Sequence, residues 1–116
     1  MTLRIGMVTI DSTDPGALAG FWTEALGARV VHEVGGEFLM LASDDGVLLG
    51  LQRVTEAKDG KNRVHLDLRT NDRAAEVRRV VGLGATVVAE HEYPAMAWAV
   101  LHDPQGNEFC IGSQGA

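Results

Sequence analysis

Hydrophobic and polar positions follow two different periods along this chain, and those periods predict two helices among short strands. The first helix is predicted after Asp14, because apolar side chains then recur at the three- and four-residue spacing of one helical face. Asp14 suits the capping position, Pro15 suits the first helical position, and Gly27 suits the end of the helix. The predicted apolar face consists of Leu18, Phe21, Trp22, Ala25 and Leu26.

A second helix is predicted from the same signals later in the chain. Asp72 is expected to cap it, and Gly84 is expected to end it. Ala74, Val77 and Val81 are predicted to form its apolar face.

Strands are predicted where short runs of apolar and β-branched residues lie between turn residues. The pair Gly35-Gly36 predicts a hairpin turn, and the polar segment VTEAKDGK, residues 54–61, is interpreted as a linker. The predicted strands are residues 3–10, 28–34, 37–42 and 47–53, then 62–68, 85–90, 97–101 and 108–111.

The order of these signals repeats once along the chain. Each half has a strand, an Asp, a helix, the triplet LGA and three further strands, which gives the order βαβββ twice. The sequence therefore predicts one α+β domain over residues 1–116, built from a first module at 1–53, the linker, and a second module at 62–116. A module with one helix cannot enclose a core alone, so we expect the two modules to form a curved mixed sheet around a cavity.

Length and charge narrow the class of protein. A chain of 116 residues has the size of one compact domain. Its net charge of −6 argues against nucleic acid and anionic membranes as partners. A single cysteine, Cys110, allows no internal disulfide, and neither a signal peptide nor a membrane span is visible, so a cytoplasmic location is expected.

The repeat, with the segments HLDL, LGA and DPQGNEF, resembles the vicinal-oxygen-chelate superfamily of glyoxalase I, bleomycin-resistance proteins and extradiol dioxygenases. The segment DPGALAGFW resembles a signature of its small glyoxalase-like domains. The resemblance implies the paired-module fold, and it implies homodimers, which are common in that superfamily. It leaves the activity open, because the same fold serves lyases, isomerases, dioxygenases and binding proteins.

The resemblance also implies metal ligands on the first and last strands of each module. In the second module these positions hold His65 and Glu108, and alignment of the two halves places Met7 and Leu48 at the first-module positions. A thioether and an alkyl side chain do not suit a hard divalent ion. We therefore expect no strong metal site, although His65 and Glu108 remain candidate ligands for a divalent metal. His32, His91 and His102, at predicted strand ends or turns, are interpreted as solvated histidines.

Three further residues are candidates for lining the cavity. Asp67 shares a strand face with His65 and is expected to orient the imidazole or to pair with an arginine. Trp98 is expected to offer a flat apolar wall or to pack in the core. Cys110 shares the face of Glu108, where a buried small side chain is expected. Burial in an apolar cavity would raise the pKa of Glu108 and suit proton transfer.

These residues predict a protein that binds a small hydrophobic or aromatic ligand, with Met7, Leu48, Asp67, Trp98 and Cys110 lining the pocket. Sequestration of a toxic compound, as in bleomycin-resistance proteins, is one form of this function. The alternative is a metal-dependent lyase, isomerase or dioxygenase that uses His65 and Glu108 as catalytic residues. No cofactor is needed in the first hypothesis, and a divalent metal is needed in the second.

Overall fold

The computed structural model describes residues 2–113 and divides the chain into two compact units at the junction of Ala57 and Lys58. This junction lies inside the predicted linker. Neither helix of the described residues is long and apolar enough to cross a membrane.

The first unit contains one helix and a four-stranded mixed sheet in the order β1-β4-β3-β2. Strands β1 and β4 are parallel, while β3 runs antiparallel to both β2 and β4. The elements are β1 (Met7–Ser12), α1 (Pro15–Leu26), β2 (Arg29–Val34), β3 (Phe38–Ala42) and β4 (Leu48–Arg53).

The second unit repeats this arrangement with the strand order β5-β8-β7-β6. The predicted order βαβββ, twice, and the α+β class are thus confirmed. The elements are β5 (Leu66–Thr70), α2 (Arg73–Gly82), β6 (Thr86–Tyr93), β7 (Met96–His102) and β8 (Glu108–Ser113).

The first helix has the ends that its sequence predicts. The Asp14 side chain accepts a hydrogen bond from the backbone N–H of Ala17 at 3.2 Å, and Pro15 occupies the first turn. Gly27 ends the helix at φ 61°, a left-handed conformation that costs glycine little. The helix packs mainly on β3 and β4. Its buried side chains are Pro15, Leu18, Ala19, Phe21 and Trp22.

The second helix differs from its prediction in its end and its buried face. Asp72 caps it as expected, but the helix ends at Gly82, before Gly84. Val77 and Val80 are the buried residues, whereas Ala74 is exposed and Val81 is 43% exposed. The amphipathic pattern was therefore assigned to the wrong valine, because neighbouring valines at 80 and 81 fit a helical repeat almost equally well.

Two predicted strands begin later than expected. Residues 3–6 are not in a strand, and Leu3 and Ile5 are 99% and 90% exposed. Strand β5 begins at Leu66, so His65 lies just before the strand and not within it. In both units the first strand pairs only along the last strand, so its extent depends on a distant partner. The other predicted strands are found with small shifts at their ends.

The two units also share their strand register. Met7 lies opposite Leu48 where β1 and β4 begin to pair. In the second unit, Leu66 lies opposite Phe109 where β5 and β8 begin to pair. His65 and Glu108 each precede these partners by one residue, so they correspond to Met7 and Leu48. The alignment of the two halves by sequence therefore identified structurally equivalent positions.

Candidate functional site

An open groove of about 450 Å³ lies on the second unit. Its lining comes from β5, β7 and β8 together with the residue that precedes β5. The lining residues are His65, Asp67, Leu68, Arg69, Met96, Trp98, Cys110, Gly112 and Ser113.

Strand register explains why several of these residues meet. Asp67 on β5 lies opposite Cys110 on β8, and Trp98 on β7 lies opposite Gly112. Cys110 and Gly112 are two residues apart on β8, so they face the same side of the sheet. Because Gly112 has no side chain, the space beside Trp98 stays open.

His65 lies between two carboxylates. Its Nε2 atom is 3.6 Å from Asp67 Oδ1, and its Nδ1 atom is 3.6 Å from Glu108 Oε2. These separations suit ion pairs when the imidazole is protonated. The His65 side chain is 38% exposed, so it can meet a molecule that enters the groove.

Glu108 is held by a lysine from the linker region. Its side chain is only 10% exposed, and its Oε1 atom accepts a hydrogen bond from Lys61 Nζ at 2.5 Å. This contact, with smaller contributions from His65 and His102, lowers the pKa of the Glu108 carboxyl below its usual value. The predicted rise in pKa is therefore wrong, because the cation outweighs burial.

The backbone around Glu108 is fixed by hydrogen bonds to two side chains, Asn62 and Asp103. The Glu108 N–H donates to Asn62 Oδ1 at 3.1 Å. In the preceding turn, the buried Asp103 side chain accepts from the backbone N–H groups of Gln105 and Asn107 at 2.8 and 3.0 Å. The DPQGN segment thus serves as a turn that sets the start of β8.

Cys110 is buried, with 4% of its surface exposed. Burial first, and then the charge of Asp67, raise the pKa of its thiol to about 11. The Cys110 sulfur, a His65 ring nitrogen and an Asp67 oxygen all lie within 4.8 Å of one another. This cluster combines the three kinds of donor that borderline metal ions accept.

Trp98 lies against two aromatic side chains of β6. Its ring centroid is 4.8 Å from that of His91 and 5.7 Å from that of Tyr93. The prediction that His32 and His91 lie at strand ends or turns is wrong, because both lie within strands. His102 is the last residue of β7, as expected for a strand end.

Met7 and Leu48 lie in the first unit as direct neighbours on β1 and β4, and both are half-buried. Phe38 lies opposite Gln52 on β4, the register position that corresponds to Trp98 opposite Gly112. The first unit therefore has apolar side chains at the positions of His65 and Glu108, and Phe38 at the position of Trp98. That Met7 and Leu48 line one pocket with the second-unit residues stays a prediction.

The pair of His65 and Glu108 does not fit the divalent ion that the superfamily resemblance implies. One oxygen of Glu108 is taken by the Lys61 ammonium, which places a positive charge beside any ion bound there. The equivalent pair of the first unit, Met7 and Leu48, supplies no oxygen or nitrogen donor.

Sequence reasoning missed several residues of the site. Lys61 was assigned to the linker, and Arg69 and Met96 were not assigned to the lining of the groove. His91 and Tyr93 were not expected beside Trp98. The alternation of β6 and β7 across a hairpin would have placed an aromatic residue of β6 near Trp98, but Lys61 carries no comparable local signal.

Comparison with known proteins identifies the class. A family model for the glyoxalase-like domain matches residues 7–112. The chain therefore belongs to the glyoxalase-like domain family. A search of curated proteins gave no significant match.

Solved structures agree on the fold. A glyoxalase/bleomycin resistance protein/dioxygenase family enzyme from Burkholderia phytofirmans is 20% identical, with a TM-score of 0.80 over 96% of this chain and 98% of its own. Lactoylglutathione lyase from Agrobacterium tumefaciens is 20% identical, with a TM-score of 0.73 over 97% and 95%. The fosfomycin resistance protein FosX from Listeria monocytogenes, solved as the E126Q mutant with Mn(II) and a dihydroxypropylphosphonic acid, is 12% identical, with a TM-score of 0.82 over 96% and 90%. At these identities the likeness establishes the fold alone.

Proposed function

We propose that the groove of the second unit binds a small planar molecule, aromatic or otherwise apolar, that carries a polar group. The observation that supports this function is the composition of the groove. Trp98 and Met96 give it an apolar side, and His65, Asp67 and Arg69 give it polar groups. This combination of an apolar wall with a few polar groups is typical of small-molecule sites.

The size of the groove also suits such a ligand. Its volume of about 450 Å³ lies within the range of ~300–1,000 Å³ that small-molecule pockets occupy. Trp98 offers a rigid ring on which a planar molecule can stack with little loss of conformational freedom. The rings of His91 and Tyr93 hold Trp98 in place from β6.

The polar residues have distinct roles in this proposal. His65 donates or accepts a hydrogen bond according to its protonation state, and the Asp67 carboxylate, 66% exposed on the side chain, can accept one from a ligand. Glu108 acts through its contact with His65 and does not line the groove.

Binding is preferred over metal-dependent catalysis because of Lys61. A catalytic ion between His65 and Glu108 would compete with an ammonium that is already hydrogen-bonded to Glu108. The depressed pKa of Glu108 also makes it a weak base for proton transfer near neutral pH. Sequestration of a toxic aromatic compound is one biological form that such binding would take.

Tryptophan fluorescence tests this function directly. We expect members of a panel of planar aromatic compounds to quench the fluorescence of the full chain to a plateau, in buffer that contains a chelator. The variant Trp98→Phe keeps only Trp22, which is buried at 1% exposure in α1, and it should lose the saturable component. His65→Ala should weaken binding by about threefold to tenfold, the loss of roughly one hydrogen bond.

Two results would contradict the proposal. One is the absence of saturable quenching of the wild-type protein across a broad panel. The other is saturable quenching that persists unchanged in Trp98→Phe, because the ligand would then lie near Trp22 and not in the groove.

A further inference from the structure

We propose that His65, Asp67 and Cys110 form a binding site for a borderline transition metal ion such as Zn²⁺. This site differs from the pair of His65 and Glu108, because the Asp67 carboxylate and the Cys110 thiol take the place of the Glu108 carboxylate. The inference goes beyond ligand binding in the groove and does not depend on it.

The distances favour this set of donors. The three donor atoms lie within 4.8 Å of one another, and the His65 nitrogen and the Asp67 oxygen are already 3.6 Å apart. Two ligands on one tetrahedral zinc, with bonds of ~2.0–2.3 Å, are separated by roughly 3.3–3.8 Å. The donors therefore need to close by only about 1 Å, which side-chain rotation can supply.

The backbone holds two of the donors together. Asp67 and Cys110 lie directly opposite each other on the parallel strands β5 and β8. His65 lies just before β5, and its Nε2 atom is 3.6 Å from Asp67 Oδ1. Two of the three donors thus come from adjacent strands whose pairing is fixed by backbone hydrogen bonds.

The donor types select the ion. Thiolate sulfur, imidazole nitrogen and carboxylate oxygen together suit Zn²⁺ or Co²⁺, whereas Mg²⁺ and Mn²⁺ prefer oxygen. As the metal–sulfur bond forms, the Cys110 thiol releases its proton to solvent. Three protein donors leave a fourth position for water or a groove ligand, as in catalytic zinc sites.

Lys61 does not oppose an ion at this site in the way that it opposes one at Glu108. Its ammonium is paired with Glu108 Oε1, and the sulfur and oxygen donors of the proposed site belong to other residues. The Lys61–Glu108 pair has no net charge, so the Asp67 carboxylate remains as a negative charge beside the ion.

Cobalt(II) tests the site through a spectroscopic signature of the sulfur donor. We expect Co²⁺, added to the tag-free full chain under reducing conditions, to produce a thiolate-to-cobalt charge-transfer band and the intense visible bands of tetrahedral cobalt at one equivalent. Zn²⁺ should then displace the cobalt and abolish both sets of bands.

Variants assign the donors. Cys110→Ser and Cys110→Ala should lose the charge-transfer band, and Asp67→Asn should weaken metal affinity by at least about tenfold. The matched control is Lys58→Met, which removes an ammonium of the same segment whose hydrogen-bond partner is the carbonyl of Gly60. It should retain the band and bind within about threefold of wild type.

The outcomes are distinct. Absence of cobalt binding, or binding without a charge-transfer band, overturns the proposal. Loss of the band in Lys58→Met also overturns it, because the signal would then depend on the general surface charge of this segment and not on the three donors. Circular dichroism of each variant shows whether a lost band reflects the missing donor or an unfolded protein. A folded Cys110→Ala variant that retains the band would also overturn the proposal, because Cys110 would then not be a ligand. The fluorescence test in chelator is unaffected by any of these results.

Discussion

Lys61 sets the electrostatic character of the site at the scale of single residues. Without it, an almost fully buried Glu108 would be expected to have a raised pKa and a tendency to capture a proton or a cation. With it, the carboxylate is paired and remains ionised. One lysine therefore keeps a carboxylate ionised at a position to which the sequence resemblance assigned a candidate metal ligand.

Replacement of Lys61 by methionine is expected to raise the pKa of Glu108, because the largest cause of its depression is removed. A depressed folded-state pKa stabilises the protein above the unfolded value, and that stabilisation is lost as pH falls through the folded value. Wild type should therefore lose more stability than Lys61→Met as pH falls from about 4.5 through the depressed pKa of Glu108. Carboxyl NMR titration and thermal melts across this range provide the measurements.

Lys58→Met serves as the control for this experiment. Lys58 lies in the same segment, but its ammonium donates to the carbonyl of Gly60 and not to Glu108. It should leave the titration of Glu108 unchanged. Equal shifts in both variants would mean that general surface charge, and not the contact with Lys61, controls this carboxylate.

At the scale of elements, local interactions determine where the two helices begin and end, and distant interactions determine which side chains they bury. The first helix begins and ends at residues whose conformations are fixed locally by Asp14 and Gly27. The second has a similar cap but a buried face that depends on how it packs on β8. Helix ends follow from the sequence more directly than the choice of buried side chains.

Asp14→Ala is expected to lower the free energy of unfolding by about 1 kcal/mol, since it removes the acceptor for the Ala17 N–H. Asp14→Asn keeps a side-chain oxygen at the same position and should retain most of that stability. Urea unfolding of the two variants measures the difference. If both lose the same amount, the charge of Asp14 and not its capping hydrogen bond stabilises α1.

The limits of sequence reasoning also lie at this scale. The repeat, the α1 caps and the hairpin at Gly35 follow from neighbouring residues, and the structure confirms the turn with a 2.9 Å hydrogen bond from Glu37 to Val34. The start of β1 and the contact of Lys61 with Glu108 depend on partners far along the chain, 47 residues away in the second case. The spacing of apolar residues along the sequence does not identify such distant partners.

Each unit also contains a β-bulge that its sequence does not predict. The register shifts between Val30 and His32 in the first unit and between Val87 and Ala89 in the second. A bulge bends and twists its strand, and such features persist within families. The bulge occurs in the equivalent strand pair of both units, so the backbone as well as the sequence supports an internal repeat.

At the scale of the whole molecule, β2 is notable because, among the described residues, it lies at the edge of its sheet and pairs with β3 alone. Every residue of β2 is exposed, and Val30, Val31 and Val34 are each 44–53% exposed. A strand edge with apolar side chains favours association with another chain unless it is protected. We propose that the protein forms a homodimer.

Sedimentation velocity of the full chain should give a species of twice the 12.4 kDa chain mass. Val34→Lys adds a charge at the end of β2 and should shift the population toward monomer if that edge takes part, since charged edge residues oppose strand pairing. Glu33→Lys, which changes charge on the same strand without removing an apolar side chain, serves as the control. A monomer at all accessible concentrations would contradict the proposal.

The shared register of the two halves has a consequence for engineering. Met7 and Leu48 occupy the backbone positions that His65 and Glu108 occupy in the other half. Met7→His together with Leu48→Glu would therefore transplant the imidazole–carboxylate pair without redesigning a loop or a strand. We expect these two replacements to be sufficient, because the duplicated strands of the two units share their register.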